Sequence, residues 1–164
     1  MSNFLVLPAE DEGIMYAVNA SGGLEWYRDK ARDGVSGSNS WVNNGEGQQI
    51  ATGWGEFTHI VSGGNGVIYA VDPGGDLLYF RDRARDGTEG WAYGGAGQQI
   101  GTGWGRCASI LGGGCGTIYA TTHDPLSEDP FGSTDYMYYY RDKAQDGTQN
   151  WANSGQGQQI GSGW

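Results

Sequence analysis

The chain has 164 residues, with 32 Gly, 4 Pro and 7 Trp, and a formal net charge of −10. Ordinary proteins contain about 7% Gly, and a glycine inside a helix costs about 1 kcal/mol, so the composition excludes a protein built from long helices. The acidic balance argues against nucleic acid and anionic membranes as partners, because both are bound through basic patches.

The sequence also argues against insertion into a membrane. No apolar run approaches the roughly 18 residues that a membrane-spanning helix needs. The first eight residues lack the basic region and the apolar stretch of a secretory signal. Two cysteines in a chain of this length are not a disulfide framework. We therefore expect a protein that is cytoplasmic, or released without a classical signal peptide.

The first predicted elements of the chain return twice further along it. They are short β-rich runs separated by turn residues, which is the pattern of hairpins. In order, they are a strand at 4–7, GIMYAV at 13–18, WYRD at 26–29, a Trp at 41, GQQI at 47–50 and Gly-Trp at 53–54.

The second copy shows most clearly that each unit contains four strands. Gly-rich segments at 62–66 and 72–76 have the composition of tight turns. The β-branched and aromatic runs around them are typical of strands. We predict strands at 57–61, 67–71, 77–81 and 98–101.

The third copy keeps the same order and adds an acidic insertion at 123–135 inside its second hairpin. We predict one repeat domain, 1–164, with units at 1–55, 56–105 and 106–164. Self-similarity at a period of about 50 residues, with four strands per unit, is typical of propeller blades.

The predicted fold is therefore an all-β propeller with three four-stranded blades in each chain. Because propellers carry about four to eight blades, we expect two chains to combine into a six-bladed homodimer with two-fold symmetry. A β-trefoil, which also has three four-stranded repeats, is the alternative.

The repeat resembles that of the tachylectin-type β-propeller lectins. The resemblance is carried by Trp, Gly-Gln-Gln-Ile, Gly-Trp, a β-run, Gly-Gly-Asn-Gly and Val-Ile-Tyr-Ala-Val, and it is clearest at 41–71 and 91–120. It covers nearly the whole chain, three times over. It implies one blade per repeat, and one site per blade for N-acetylated hexosamines such as GlcNAc or GalNAc.

Two repeated groups are candidates for sugar contacts, since a sugar site needs an aromatic face and a few fixed polar groups. One is the Trp in the middle of each repeat, here called the central Trp, with the small, amide or aromatic residues after it. The other is the Arg-Asp pair at the end of the third predicted strand. Packing of the Trp and surface ion pairing of the Arg are the competing interpretations. The candidates are Trp41, Asn43, Asn44, Arg28 and Asp29; Trp91, Tyr93, Arg81 and Asp82; Trp151, Asn153, Arg141 and Asp142.

Other repeated residues are assigned to structure. The closing Trp54, Trp104 and Trp164 are predicted to pack rather than bind. The strand tyrosines Tyr16, Tyr69 and Tyr119 are predicted to pack between neighbouring repeats. The Asp-Gly dipeptides at 33–34, 86–87 and 146–147 are turn signals.

The sequence offers little for catalysis. His59 and His123 do not occupy repeated positions. The chain has no nucleophile elbow, phosphate loop or zinc spacing, so we expect no enzyme, metal or cofactor.

A multivalent lectin is the favoured function. The alternatives are a protein-interaction propeller that binds a partner through the acidic insertion, and a repeat scaffold without a natural ligand.

Overall fold

The computed structural model describes residues 5–8, 12–34, 40–123 and 135–163. These residues form three four-stranded antiparallel sheets, each in simple chain order. The first sheet is β1 (Leu5–Pro8), β2 (Ile14–Val18), β3 (Leu24–Arg28) and β4 (Gln48–Ala51); the second is β5 (His59–Gly64), β6 (Val67–Val71), β7 (Leu77–Arg81) and β8 (Gln98–Gly101); the third is β9 (Cys107–Gly114), β10 (Thr117–His123), β11 (Asp135–Arg141) and β12 (Gln158–Ser162).

Short 3₁₀ turns are the only helical elements among the described residues. They follow each central Trp and begin at two of the closing Trp residues. None of these helices has the length and apolar character needed to cross a bilayer. The turns are Val42–Gly45, Trp54–Glu56, Ala92–Gly95, Trp104–Arg106 and Ala152–Gly155.

The predicted all-β class is confirmed, and so are the strands at 67–71, 77–81 and 98–101. The prediction was wrong for 57–61, because the strand begins at His59 and continues to Gly64. The turn is confined to Asn65-Gly66, whose φ values of 51° and 76° are those of a two-residue hairpin turn. The acidic insertion joins β10 to β11, and residues 124–134 lie outside the described residues.

The first strands of the three sheets lie next to one another, with β5 in contact with both β1 and β9. A backbone hydrogen bond from Gly116 N–H to the Gly63 carbonyl, 3.3 Å long, joins the second and third sheets here. The outer strands β4, β8 and β12 stand at the opposite edge of each sheet.

Two apolar cores fill the spaces between consecutive sheets. We call the space between the first and second sheets the first junction, and that between the second and third sheets the second junction. Alternation of side chains along each strand sends one set of residues into each junction. Tyr16 contributes to the first core together with Ile68, and Tyr69 contributes to the second together with Ile118.

Both cysteines are unpaired. Cys107 is buried in the second junction, and burial raises the pKa of its thiol. Cys115 is exposed in the β9–β10 turn, at the position that Asn65 occupies in the second sheet.

Candidate functional site

The central Trp residues of the second and third repeats each pack against the preceding sheet. Trp91 donates its indole N–H to the Ile50 carbonyl at 2.9 Å, and Trp151 donates to the Ile100 carbonyl at 2.7 Å. Their rings lie beside Trp54 and Trp104, at centroid distances of 5.8 and 6.1 Å. The central Trp is therefore part of each junction as well as a candidate for ligand contact.

The aspartate of the Arg-Asp pair is a junction residue in the second and third sheets. Asp82 is 0% exposed and Asp142 is 1% exposed. Asp82 accepts a hydrogen bond from the Tyr16 hydroxyl at 2.9 Å, and Asp142 accepts one from the Tyr69 hydroxyl at 3.0 Å. Each carboxylate thus joins its own sheet to the one before it.

The second oxygen of each of these carboxylates organises the local chain. Asp82 Oδ1 accepts the backbone N–H groups of Ala84 and Arg85. This pattern is an aspartate turn, which a short carboxylate side chain forms readily. Asp29 Oδ1 accepts the equivalent groups in the first sheet, from residues 31 and 32.

Two of the three strand tyrosines pack between neighbouring repeats as predicted, whereas Tyr119 in the third sheet is partly exposed. Tyr16 and Tyr69 are fully buried. Burial, and then the charge of the neighbouring Asp82, raise the pKa of Tyr16 above its ordinary value. Burial and Asp142 do the same for the pKa of Tyr69. Both hydroxyls therefore remain protonated donors over the physiological range.

The loop after each central Trp has an unusual backbone. Two consecutive residues adopt left-handed φ values of about 50–65° in all three copies, and a glycine with positive φ follows. Side chains other than Gly, Asn and Asp rarely adopt this conformation. Such a repeated deviation motivates a functional interpretation of the loop. The pairs are Asn43 and Asn44, Tyr93 and Gly94, and Asn153 and Ser154.

The side chains of this loop differ among the copies. Asn43, Asn44 and Asn153 are exposed. Tyr93 is half exposed, and its hydroxyl donates to the Asp146 carbonyl across the second junction. The amides are thus accessible to solvent, whereas the Tyr93 hydroxyl is already engaged.

A cavity opens at each junction, between the closing Trp of one sheet and the loop after the central Trp of the next. At the first junction it measures about 290 Å³, and at the second about 570 Å³. Trp54 and Trp104 supply equivalent aromatic walls, and Thr52 and Thr102 supply equivalent hydroxyls. An aromatic wall beside hydroxyl and amide groups is the chemistry that a sugar ring requires.

The two cavities carry different charged residues. Glu89 lines the cavity of the first junction, whereas Arg106 lines that of the second. Gln49 and Gln156 supply amide groups to the first and second cavities, respectively. The structure therefore provides two related cavities with unequal electrostatics.

Of the thirteen predicted site residues, Trp91 is the one that lines a cavity. Arg28 instead approaches Glu12, with Nε 3.3 Å from its carbonyl oxygen. Arg81 is partly exposed and Arg141 exposed, and neither lines a cavity. Trp151 adjoins the loop that lines the second cavity without being part of its wall.

The sequence interpretation missed the closing Trp residues and the Thr before them as cavity residues. Trp54 and Trp104 do pack, as predicted, at 4% and 7% exposure. They line the cavities in addition. The available signal was the exact return of Thr-Gly-Trp at 52–54 and 102–104.

The Asp-Gly dipeptides at 86–87 and 146–147 confirm their predicted turn role. Asp86 Oδ1 accepts the Thr88 backbone N–H at 2.9 Å and its hydroxyl at 2.6 Å. These hydrogen bonds lower the pKa of the Asp86 carboxyl. Asp146 and Thr148 repeat the arrangement, with the same effect on the pKa of Asp146. Among the described residues, no group of acidic, His and Cys side chains has the arrangement of a metal site.

The family model described as Tachylectin matches residues 2–164. No curated protein matches the sequence.

Proposed function

Because the chain belongs to the Tachylectin family, a family of carbohydrate-binding lectins, we propose that it binds N-acetylated hexosamines such as GlcNAc or GalNAc at several equivalent places. The observation that carries this proposal is the return of a cavity with an equivalent Trp wall and Thr hydroxyl at both junctions. Repetition of such a site favours multivalent binding over catalysis, which needs a single constellation of groups.

The proposed fold is a β-propeller whose blades are the three sheets. The support is the adjacency of the first strands β1, β5 and β9, with the later strands of each sheet extending away from them. Blades at 1–55, 56–105 and 106–164 follow from this interpretation. A homodimer with six blades remains our proposal for the assembly, because propellers carry about four to eight blades.

The chemistry of the cavities suggests how a sugar would sit. Trp54 or Trp104, at 4% and 7% exposure, would close one side of the site with its small accessible part, and the exposed Thr52 or Thr102 would hydrogen-bond to a hydroxyl or to the acetamido group. The exposed loop amides Asn43, Asn44 and Asn153 are further candidates for polar contacts. A single open site of this kind binds a sugar weakly. Several such sites on one protein assembly raise the avidity for a multivalent glycan by ~10²–10⁴ over the affinity of one site.

Substitution of the threonines tests the proposal without disturbing a junction. Thr52 and Thr102 are exposed, whereas Trp91 and Trp151 hold neighbouring sheets together. The double variant Thr52→Arg and Thr102→Arg places a long side chain in both cavities. Calorimetric titration with GlcNAc and GalNAc is expected to show loss of binding.

The matched control is Asn150→Arg, which places the same side chain at an exposed position that lines neither cavity. Circular dichroism checks that all variants keep the fold. Wild-type protein that binds neither sugar at millimolar concentration contradicts the proposed function. Binding that survives in the double variant contradicts the proposed site.

A further inference from the structure

The third sheet leaves open a face that the first and second sheets bury. Ile50 and Ile100 are each 1% exposed at the junctions, whereas Ile160, at the equivalent place in β12, is 49% exposed. Val61 is buried in the second junction, and its equivalent in β9, Leu111, is 57% exposed. An apolar set that is covered twice within the chain is therefore uncovered the third time.

The first sheet leaves open the opposite, complementary face. In the second sheet this face contributes Ile68, Phe80 and Trp91 to the first core. Their equivalents in the first sheet are Met15, Tyr27 and Trp41, and all three are partly exposed. The 164-residue chain thus carries both halves of a junction, one on each outer sheet.

The two open faces also carry a complementary hydrogen-bond donor and acceptor. The hydroxyls of Tyr16 and Tyr69 reach Asp82 and Asp142, but no described residue accepts a hydrogen bond from Tyr119. Asp29 Oδ1 accepts two backbone N–H groups, as Asp82 Oδ1 does, and no described residue donates to Asp29 Oδ2. Tyr119 and Asp29 stand on the two open faces.

The central Trp follows the same rule. Trp91 and Trp151 donate to the carbonyls of Ile50 and Ile100. Trp41 belongs to the first sheet of this chain and has no acceptor among the described residues; the Ile160 carbonyl is the equivalent of the Ile50 and Ile100 acceptors.

We propose that a second copy of this chain docks its first sheet on the third sheet of the first copy, in a closed pair with two such contacts, and that each contact completes a third sugar cavity. Tyr119 donates to Asp29 Oδ2 of the other copy, and Trp41 donates to the Ile160 carbonyl. The pairing repeats a contact that the chain already makes twice internally. Closure by two-fold symmetry uses both open faces of both copies.

The completed cavity is shared between copies. Its wall combines Ile160, Gly161 and Ser162 of one copy with Trp41 and Gly45 of the other, because their equivalents line the cavity of the first junction. This part of the inference rests on the proposed sugar binding, whereas the contact between copies does not. The isolated chain has two complete cavities, and each copy in the pair gains one more.

The test compares wild-type protein with Ile160→Asp. Ile160 is already half exposed within one chain, so the charge leaves the single chain folded and falls in the proposed contact. Asn150→Asp is the matched control, since it adds the same charge in the same repeat.

Light scattering is expected to give twice the 17.5 kDa of one chain for wild type and for Asn150→Asp, and 17.5 kDa for Ile160→Asp. Tyr119→Phe and Asp29→Asn are each expected to weaken the pair, and the double variant to weaken it by less than the sum of the two. A wild-type chain that remains at 17.5 kDa at all concentrations, or that grows into larger open assemblies, overturns the closed pair.

Titration with GlcNAc separates the two parts of the inference. The pair is expected to bind three sugars per copy, and Ile160→Asp two per copy. Equal stoichiometry in the two proteins overturns the shared cavity. A protein that forms the pair but binds no sugar overturns the shared cavity and the proposed function together, and the contact between copies then stands.

Discussion

At the scale of single residues, the Tyr–Asp pairs carry the polar part of each junction. Asp82 is fully buried, and a buried carboxylate is costly unless hydrogen bonds compensate for the water that it loses. Two backbone N–H groups and the Tyr16 hydroxyl provide that compensation. Removal of the hydroxyl would leave one carboxylate oxygen without its donor in an otherwise apolar core.

We expect Tyr16→Phe to lower the free energy of unfolding by about 1.5–3 kcal/mol, the range for hydrogen bonds to charged groups. Denaturant unfolding at neutral pH measures the change. Tyr136→Phe is the control, because Tyr136 is only partly buried and its hydroxyl has no hydrogen bond to a described residue. Equal losses in the two variants would contradict a special role for the junction hydroxyl.

At the scale of the elements, the first strands of the sheets approach each other closely. A Cβ atom on Gly112 in β9 would stand 2.0 Å from the Ser62 carbonyl oxygen in β5. The contact is with backbone, so the clash is relieved only by movement of one strand. The absence of a side chain at position 112 thus allows the second and third sheets to approach this closely.

Gly112→Ala is expected to destabilise the protein by about 1–3 kcal/mol, as overpacking of a tight contact does. Thermal or denaturant unfolding measures the loss. Ser109→Ala in the same strand removes an exposed hydroxyl and is expected to change the stability by no more than about 0.5 kcal/mol. If Gly112→Ala is as stable as Ser109→Ala, the close approach of β5 and β9 is not a constraint on the fold.

Some strand bounds could be predicted from the sequence and others could not. Strand bounds at 67–71, 77–81 and 98–101 were predictable because alternation and turn residues act within a few positions of the chain. The bounds of β5 were not, because Gly63 and Gly64 look like turn residues and yet stay in the sheet. A Cβ on Gly63 would stand 2.5 Å from the Tyr69 ring, so packing against the neighbouring strand demands glycine there.

At the scale of the whole molecule, the junctions are repeated, and so is their sensitivity to pH. Tyr16 and Tyr69 stand in different junctions, and burial beside a carboxylate raises the pKa of both above the ordinary 10.0. A folded protein that holds these protons more tightly than the unfolded chain is stabilised at all pH values below that ordinary value. This stabilisation is lost as the pH rises from 10 towards the folded-state values.

The free energy of unfolding is therefore expected to fall progressively above pH 10. Both junctions contribute, so tyrosinate absorbance and circular dichroism should change together, because the buried hydroxyls ionise on unfolding. The double variant Tyr16→Phe and Tyr69→Phe should show a shallower decrease with pH from a lower starting stability. A wild-type protein whose tyrosines all ionise near pH 10 without unfolding would contradict this account.

The amino-acid sequence by itself determined the threefold repeat, the all-β class, the bounds of three of the four strands in the second copy, and the resemblance to a lectin family. Those properties depend on neighbours along the chain and on patterns that return at equal spacing. Only the tertiary structure decided that Asp82 is a buried junction residue and that Trp54 lines a cavity. The reason is distance along the chain: Tyr16 and Asp82 are 66 positions apart, and the cavities exist only where two sheets meet.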